Sequence, residues 1–461
     1  MKNIPLIIGA LLFSTLFYQH AIGLNLSLFS LLTIIILIIY NKDTFKKKNT
    51  IVFSLVLVIT AITTFFYRSN LSIIAYVVAF LTLIGNVSEQ NSSIYINWLN
   101  GFYSSIAAFF NRNFNTIEKD EKVVPKQKTD YLHLLKIIGI PLTVVIIFIS
   151  LYKNGNPVFS ELISKIDFSF INIQWLLVAV LGYYLLSNIS KPVRIDLATT
   201  YDLNTGNLLD IKGEIKIERL KKENQLGFIL IALLNILITF FLITDVTYLI
   251  STNDLRASAF SNQVHNGINT LIASIIIAII IILYFFRGNL NFYKDNKNLK
   301  YVTYTWIILN IILIINIAIK DCQYIYYFGF TYKRIGVLIY LLLTVIGLLT
   351  TSIKIKQIKN FWYLFRVNTL TAFTILIISS SINWDNYMTH YNLNHAQFMD
   401  FNYLLDLSNN NTLLLKNYAD QNNLNEEKKS LIEKKYNAYL IELENKKWQE
   451  IQYDNLRLNK D

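Results

Sequence analysis

Apolar segments of roughly 15 to 25 residues recur about eleven times between Ile4 and Ser381, and the loops joining them alternate between strongly basic and nearly uncharged. About 20 apolar residues cross a bilayer as one helix. Inside lipid every backbone amide needs an internal partner, so a chain that crosses this many times is a helical bundle. The pattern predicts an all-α polytopic integral membrane protein: a transmembrane bundle over residues 1–381 and a soluble helical C-terminal region over 382–461.

The expected spans are 4–18, 23–40, 51–67, 71–86, 131–152, 171–188, 226–250, 268–286, 301–319, 335–352 and 362–381, of which the first and fourth are short. Alternate loops carry Lys42 and Lys46 to Lys48, then Arg112, Lys119, Lys122, Lys126 and Lys128, then the basic stretch 189–225. Arg287, Lys294, Lys297 and Lys300 follow, and finally Lys354, Lys356 and Lys359. Roughly 24 cations on these loops against roughly 7 on the others is a strong positive-inside bias. It predicts a bacterial cytoplasmic membrane protein with a cytoplasmic N-terminus and an exported C-terminal region. A cleaved leader over Met1 to Gly23 is the alternative for the first segment, because Lys2 precedes the apolar run and Ala21 and Gly23 follow it.

Composition agrees. Of 461 residues 54% are hydrophobic and only 16% charged, against about 25% charge in ordinary soluble domains. The formal net charge of +12 is not a nucleic-acid signature. The C-terminal region is net acidic, leaving about +15 on the membrane body, mostly in alternate loops where it meets lipid headgroups. The bilayer is therefore the expected partner, and nucleic acid is not. Cys322, the single cysteine, allows neither an internal disulfide nor a thiolate metal cage. The weight of Ile, Asn and Lys resembles the product of an AT-rich bacterial genome.

Two further stretches are amphipathic. Ile94, Trp98, Leu99, Phe102, Ile106, Phe109 and Phe110 recur at helical spacing among Asn and Ser, and Val158, Phe159, Leu162, Ile163 and Ile166 do so around Glu161 and Lys165. Both suit helices in the interface plane or loop helices packed on the bundle. Beyond Ser381, Asn423 with Glu426 is a helix-start pattern, followed by an apolar stripe of Ile432, Tyr436, Tyr439, Leu440 and Leu443. That stripe needs a mate: the helical stretch at 398–407, the bundle, or an envelope protein partner.

The candidate polar positions are few. Asp245 lies in the apolar run FFLITDVTYLI, His265 opens the next span, and Tyr332, Lys333 and Arg334 start the tenth on the same membrane side. An ionisable group inside a span faces a partner, water or a functional cavity. The set reads either as an outward-facing polar pocket or as helix-end anchors with one structural ion pair. On the other side Arg287 with Asn289 and Arg366 with Asn368 sit where spans meet the interface, as snorkelling residues do. Asn235, Asn310 and Asn316 lie within spans and suit interhelical hydrogen bonding. No phosphate-cradling, dinucleotide, zinc-helix or nucleophile-elbow motif is present. His390 and His395 do not share a helix face. We expect no enzyme, no catalytic residue, no cofactor and no metal.

From the eighth span onward VHNGINTLIASI, YFFRGNLNF, YIYYFGFTYKRIGV, INWDNYMTHYNL and DFNYLLDLS occur in order. These resemble the blocks of a bacterial polytopic membrane family classed only as a domain of unknown function, of the type numbered four-one-seven-three, near four-one-five-three. The resemblance covers 226–408, with a looser likeness in the layout of the earlier spans. Members of that family tend to carry an acidic residue where this chain has Asn266 after His265, which weakens a proton-handling role there. The resemblance implies the membrane architecture and no activity. It singles out Arg287, Asn289, Tyr332, Lys333, Arg334 and Asp400.

Two functions compete. One is a transporter or permease-like bundle for a small solute; the other is a structural or envelope-assembly protein presenting its C-terminal region to a partner. A continuous polar cavity at mid-membrane reaching Asp245 or Asn310 separates them, because only transport needs it.

Overall fold

The computed structural model describes residues 3–114, 131–164, 172–211, 213, 216–251 and 257–458. The described residues form helices and one isolated antiparallel bridge, Leu208 with Lys359. In chain order the helices are α1 (Ile4–Phe17), α2 (Leu24–Tyr40), α3 (Lys48–Phe66), α4 (Asn70–Ser88), α5 (Ile94–Phe114), α6 (Tyr131–Gly155), α7 (Pro157–Ser164), α8 (Ile173–Ser190), α9 (Asp196–Asn204) and α10 (Ile217–Ser251). Then come α11 (Ala257–Phe285), α12 (Lys297–Phe328), α13 (Tyr332–Lys356), α14 (Phe361–Ser380), α15 (Trp384–His395), α16 (Phe401–Asp406), α17 (Thr412–Gln421), α18 (Glu426–Glu444) and α19 (Tyr453–Leu458).

Each apolar segment expected from the sequence coincides with a helix. Among the described residues seven helices are long and apolar enough to cross a membrane, and Ile4–Phe17, Leu24–Tyr40 and Thr270–Phe285 are shorter apolar helices. α12, with 32 residues, is about 48 Å long at 1.5 Å per residue, more than the roughly 30 Å hydrocarbon core. Apolar side chains on the outside are normal here: Ile236, Leu237 and Phe240 of α10 are 68%, 62% and 67% exposed, as lipid contact requires.

The helices form two lobes. In the first, α1 runs antiparallel along α8, with Ser14 hydroxyl donating to Trp175 O and Gly9 against Leu186. α2, α3 and α4 complete it around Leu37, Leu57, Leu83, Ile84 and Leu186, all fully buried. The second lobe packs α10, α11, α12 and α13 around Ile231, Ile275, Ile282, Phe286, Leu299 and Leu348. α14 lies between the lobes, against α13 on one flank and α3, α4 and α5 on the other.

The amphipathic stretch at 94–110 is α5. Gly85 and Gly101 let it press on α4: a Cβ on Gly85 would lie 1.8 Å from Asn97 O, and one on Gly101 2.0 Å from Leu81 O. About three turns after Asn97, the Phe109 amide donates to Asn188 Oδ1 at 2.6 Å, at the end of α8. α4 and α8 both finish on the side away from the C-terminal region, so α5 lies across that end of the first lobe. Leu99, Phe102, Ile106 and Phe110 are about half exposed along its outer face, the stripe of an interface helix. The other amphipathic stretch includes α7; Leu162, Ile163 and Ile166 fall outside the described side chains.

Several cations on that side bind helix ends rather than lipid. Arg112 donates to Ser187 O at 2.8 Å, and buried Lys354 to Phe286 O at 2.6 Å, closing the C-termini of α8 and α11. Exposed helix-end carbonyls and the negative end of the macrodipole favour cations there.

The C-terminal region caps the opposite end. Phe401, Leu404, Leu415, Ala419 and Ile432 form a core of their own. The stripe residue Ile432 is thus mated within the region. Tyr439, also buried, donates its hydroxyl to Asp454 at 2.7 Å. The segment 449–451 then docks on the first lobe, where Leu24 N donates to Ile451 O at 2.9 Å and Asn25 N to Gln449 O at 2.8 Å.

Candidate functional site

The first turns of α4 and α13, one from each lobe, face each other beneath the cap. Between them lies a chamber of about 1010 Å³, walled by Arg68 to Leu71 and Thr331 to Arg334, and roofed by Asp385, Tyr403, Asp406 and Asn410 among others. Local sequence explains the walls. Ser69 caps α4 by accepting from Ser72 N at 3.1 Å, and Ser72 hydroxyl accepts from Ser69 N in return. Thr331 caps α13 in the same way, through Arg334 N. Ahead of it α12 ends at Gly329, whose φ of +76° suits glycine. A Cβ there would also meet Asn392 Oδ1 at 2.3 Å. Asn392 of α15 grips the next residue from both sides: Phe330 N donates to its Oδ1 at 2.6 Å, and its Nδ2 donates to Phe330 O at 2.9 Å.

Polar contacts join roof to wall. Buried Asp385 accepts from Tyr332 hydroxyl at 2.6 Å, from Ser408 hydroxyl and from Asn410 Nδ2 at 3.4 Å. Tyr403 hydroxyl accepts from Tyr332 N at 2.9 Å. Burial pushes the Tyr403 phenol above its usual range and the Asp385 charge adds to this, so it stays protonated at neutral pH. Arg334, 9% exposed, lies 4.0 Å from the Tyr324 ring and donates through Nη1 to Phe328 O at 3.1 Å and to Gly329 O.

The other candidate residues sit elsewhere. Asp245 is ion-paired with Lys320 of α12 inside the second lobe, and its Oδ2 has no partner among the described residues. The side chain of His265 lies outside the described residues. Arg287 stacks 3.9 Å over Tyr284 and pairs with Glu223 at 3.1 Å, and Asn289 starts the short turn that follows. Asn310 donates to Trp306 O of its own helix at 2.8 Å, whereas Asn235 bridges α10 to Val302 O of α12 at 2.8 Å. Asp400 is the N-cap of α16, accepting from Tyr403 N at 3.1 Å.

Arg366 corrects the snorkelling expectation. It turns toward the protein and pairs with Asp202 of α9 at 3.0 Å, while Nε donates to Ser93 hydroxyl at 2.9 Å and Nη1 to Asn207 Oδ1 at 2.7 Å. Asp202 also accepts from Ser93 N and Tyr95 hydroxyl, at 2.8 and 2.7 Å. Burial raises the Asp202 carboxyl, but these hydrogen bonds together hold it below the usual Asp range. This cluster ties α5, α9 and α14 together on the side away from the chamber.

Sequence reasoning brought Tyr332, Lys333 and Arg334 to the chamber and missed Arg68 and Asp385. Asp385 stands in INWDNYMTHYNL, one of the blocks carrying the family resemblance, so a signal was there. It also missed Asp321, 1% exposed, which feels the charge of Arg334.

The sequence model of a family described as a domain of unknown function (DUF4153) matches residues 7–418. This confirms the resemblance, settles it on the second of the two numbered types, and extends it beyond 226–408 into the first span and well into the cap. Arg68, Lys333, Arg334, Asp385, Tyr403 and Asn410 all fall within the matched residues. No curated protein and no solved structure matches the chain.

Proposed function

We propose, from the premise that the chain belongs to the DUF4153 family, that it is a membrane protein that binds a small polar solute in the chamber between its lobes, as part of a permease-like bundle. The chamber carries this reading: a cavity of about 1010 Å³ whose opposite walls belong to different lobes. Ligand sites favour such junctions, because a few polar groups from separate elements converge there. Binding is the primary step in this reading, and catalysis is not part of it. Neither Asp245 nor Asn310 is on the chamber wall, so the chamber supports solute binding and does not meet the mid-membrane criterion that transport sets.

Among the described residues the basic loops lie on the side away from the cap. This supports a cytoplasmic face there, an exported cap, and a bacterial cytoplasmic membrane as the location. The test is native mass spectrometry of the full chain purified in detergent, beside Leu71→Trp, which narrows the chamber from α4. A small molecule retained by the wild type and lost from the variant is expected. Retention unaffected by Leu71→Trp, or none at all, would overturn the reading.

The envelope-assembly reading is favoured by one observation: Leu431 and Ile441 stand 40% and 59% exposed on α18, with Trp448 52% exposed just beyond it.

A further inference from the structure

We infer that the cap is seated in the bilayer itself: Tyr453 and Leu456 of α19 at the first lobe and Phe398, just ahead of α16, at the second enter the lipid interface of the leaflet on the cap side, whether or not the chamber holds a solute. α3 supplies the first observation. Its 19 residues span about 28 Å at 1.5 Å per residue, close to the roughly 30 Å hydrocarbon core, so Phe66 at its end lies at the edge of the hydrocarbon. Ile51, Leu55, Ile59, Ile62 and Phe66 form one stripe at helical spacing, each between 44% and 57% exposed, which is the lipid face of the helix. Tyr453 stacks on Phe66 at the end of that stripe, with ring centroids 4.9 Å apart. Tyr453 and Leu456 are three residues apart and share one face of α19, where they are 42% and 48% exposed. The other face is held to α18: Asp454 accepts from Tyr439 hydroxyl at 2.7 Å, and Asn455 Nδ2 donates to Leu443 O at 2.9 Å. The apolar face of α19 thus carries the lipid stripe of α3 on into the cap.

The second lobe repeats the relation independently. Ile308, Ile312, Ile315, Ile319 and Tyr326 are the exposed stripe of α12. Tyr327, next to the end of that stripe, accepts from Phe398 N at 2.8 Å through its carbonyl oxygen, and the Phe398 and Phe328 ring centroids are 5.9 Å apart. Phe398 is nonetheless 57% exposed. The two stripe ends lie at one level, because α3 and α12 end at Phe66 and Phe328, just before α4 and α13, whose first turns face each other across the chamber.

Lipid fits these residues better than a protein partner does. Aromatic rings with a polar edge concentrate at the boundary between acyl chains and headgroups, and Tyr326, Tyr327 and Tyr453 stand at that depth. Arg457, exposed and four residues after Tyr453 on the same face of α19, suits anionic headgroups. Each apolar cap residue adjoins a stripe that acyl chains cover whenever the spans are inserted, so a protein covering it would have to displace lipid from both lobes at once. The outward face of α18 is of another kind: Glu427, Lys434, Asn437 and Glu444 are exposed along it, with Leu431 and Ile441 standing singly among them.

The experiment uses the full chain carrying Cys322→Ser, reconstituted in nanodiscs of phosphatidylethanolamine and phosphatidylglycerol and spin-labelled at one introduced cysteine. The sites are Leu456→Cys and Phe398→Cys, with Asn437→Cys as the aqueous reference on the face of α18 opposite buried Ile432 and Tyr439. All three replace exposed side chains, so the fold is kept, and Arg457→Cys repeats the reading on the same face should Leu456→Cys loosen α19. Collision of the label with oxygen, which concentrates in lipid, is compared with its collision with a water-soluble nickel chelate. The oxygen-to-nickel ratio at 398 and at 456 is expected to exceed that at 437 severalfold. A ratio at either site equal to that at 437 places that part of the cap in water and overturns the inference. A label closed to both probes overturns it as well, since protein, a second copy or another chain, then covers the site.

Discussion

Arg366 of α14 and Asp202 of α9 form an ion pair of 3.0 Å whose carboxylate side chain is 3% exposed. Removing one partner of a buried pair strands the other charge, which costs about 3–5 kcal/mol. Asp202→Ala should therefore lower the thermal unfolding midpoint of the purified protein clearly. Asp202→Asn should cost less, since it keeps an acceptor for Ser93 and Tyr95. The pH dependence has a fixed sign. A carboxyl held below its unfolded value contributes stability that is present above the ordinary Asp range and lost as pH falls through the lowered value. Acid sensitivity that is identical in wild type and Asp202→Asn would remove this role.

What the sequence revealed and what it hid have the same physical origin. Apolar length is a property of single segments, so the position of each apolar helix was legible. Partners are not: Arg366 next to an interface reads as a lipid anchor until α9 folds back and brings Asp202 to it. Lys354, counted among the basic loop residues, is 2% exposed and closes the end of α11. The chamber is less legible still, because Arg68 and Asp385 are far apart in sequence and meet only when the cap closes over both lobes. Tyr332, Lys333 and Arg334 were named together because they are adjacent in one block, and all three line the chamber.

The α4–α5 contact yields a sharper test of packing. Gly85 and Gly101 face backbone at 1.8 and 2.0 Å from where a Cβ would stand, while Gly336 has open space around it. A clash with backbone is not relieved by a rotamer change, so Gly85→Ala and Gly101→Ala should each destabilise by about 1–3 kcal/mol. Gly336→Ala should be neutral or mildly stabilising, because alanine is the better helix former. Thermal unfolding in detergent checks all three, and equal midpoints would show that α5 is only loosely seated.

Lys435 makes the cap respond to alkali. Its ammonium donates to Leu405 O, Leu407 O and Asn411 Oδ1 at 2.8, 2.7 and 3.0 Å. Burial pulls its pKa down to about 8, against the upward pull of Asp385 and Asp406. Between that value and the unfolded lysine value of about 10.4, unfolding takes up a proton, so stability rises with pH across this window and is level below it. Proteolysis of the cap should slow from pH 8 to pH 10 more in the wild type than in Lys435→Met. The same pH profile in both would exclude Lys435 as the source.

The cap itself separates the two functional readings. Its segment 449–451 lies on the first lobe with Gly23 under Glu450: a Cβ on Gly23 would stand 2.3 Å from the Glu450 carbonyl oxygen. Glu450 also pairs with His20 at 2.9 Å, and Tyr453 stacks against Phe66 with ring centroids 4.9 Å apart. These contacts make the last helices part of the bundle's end rather than a free arm. Gly23→Val should therefore loosen the cap, seen as faster cleavage near residues 445–453, with the spans still inserted. Deleting residues 423–461 should go further, since it removes Ile432 from the cap core and opens the chamber. If the cap serves the chamber, both changes weaken ligand retention in the same order as they expose the cap. If it serves an envelope partner through Leu431 and Ile441, then Leu431→Ser with Ile441→Ser leaves retention and cleavage unchanged while abolishing co-purification of that partner.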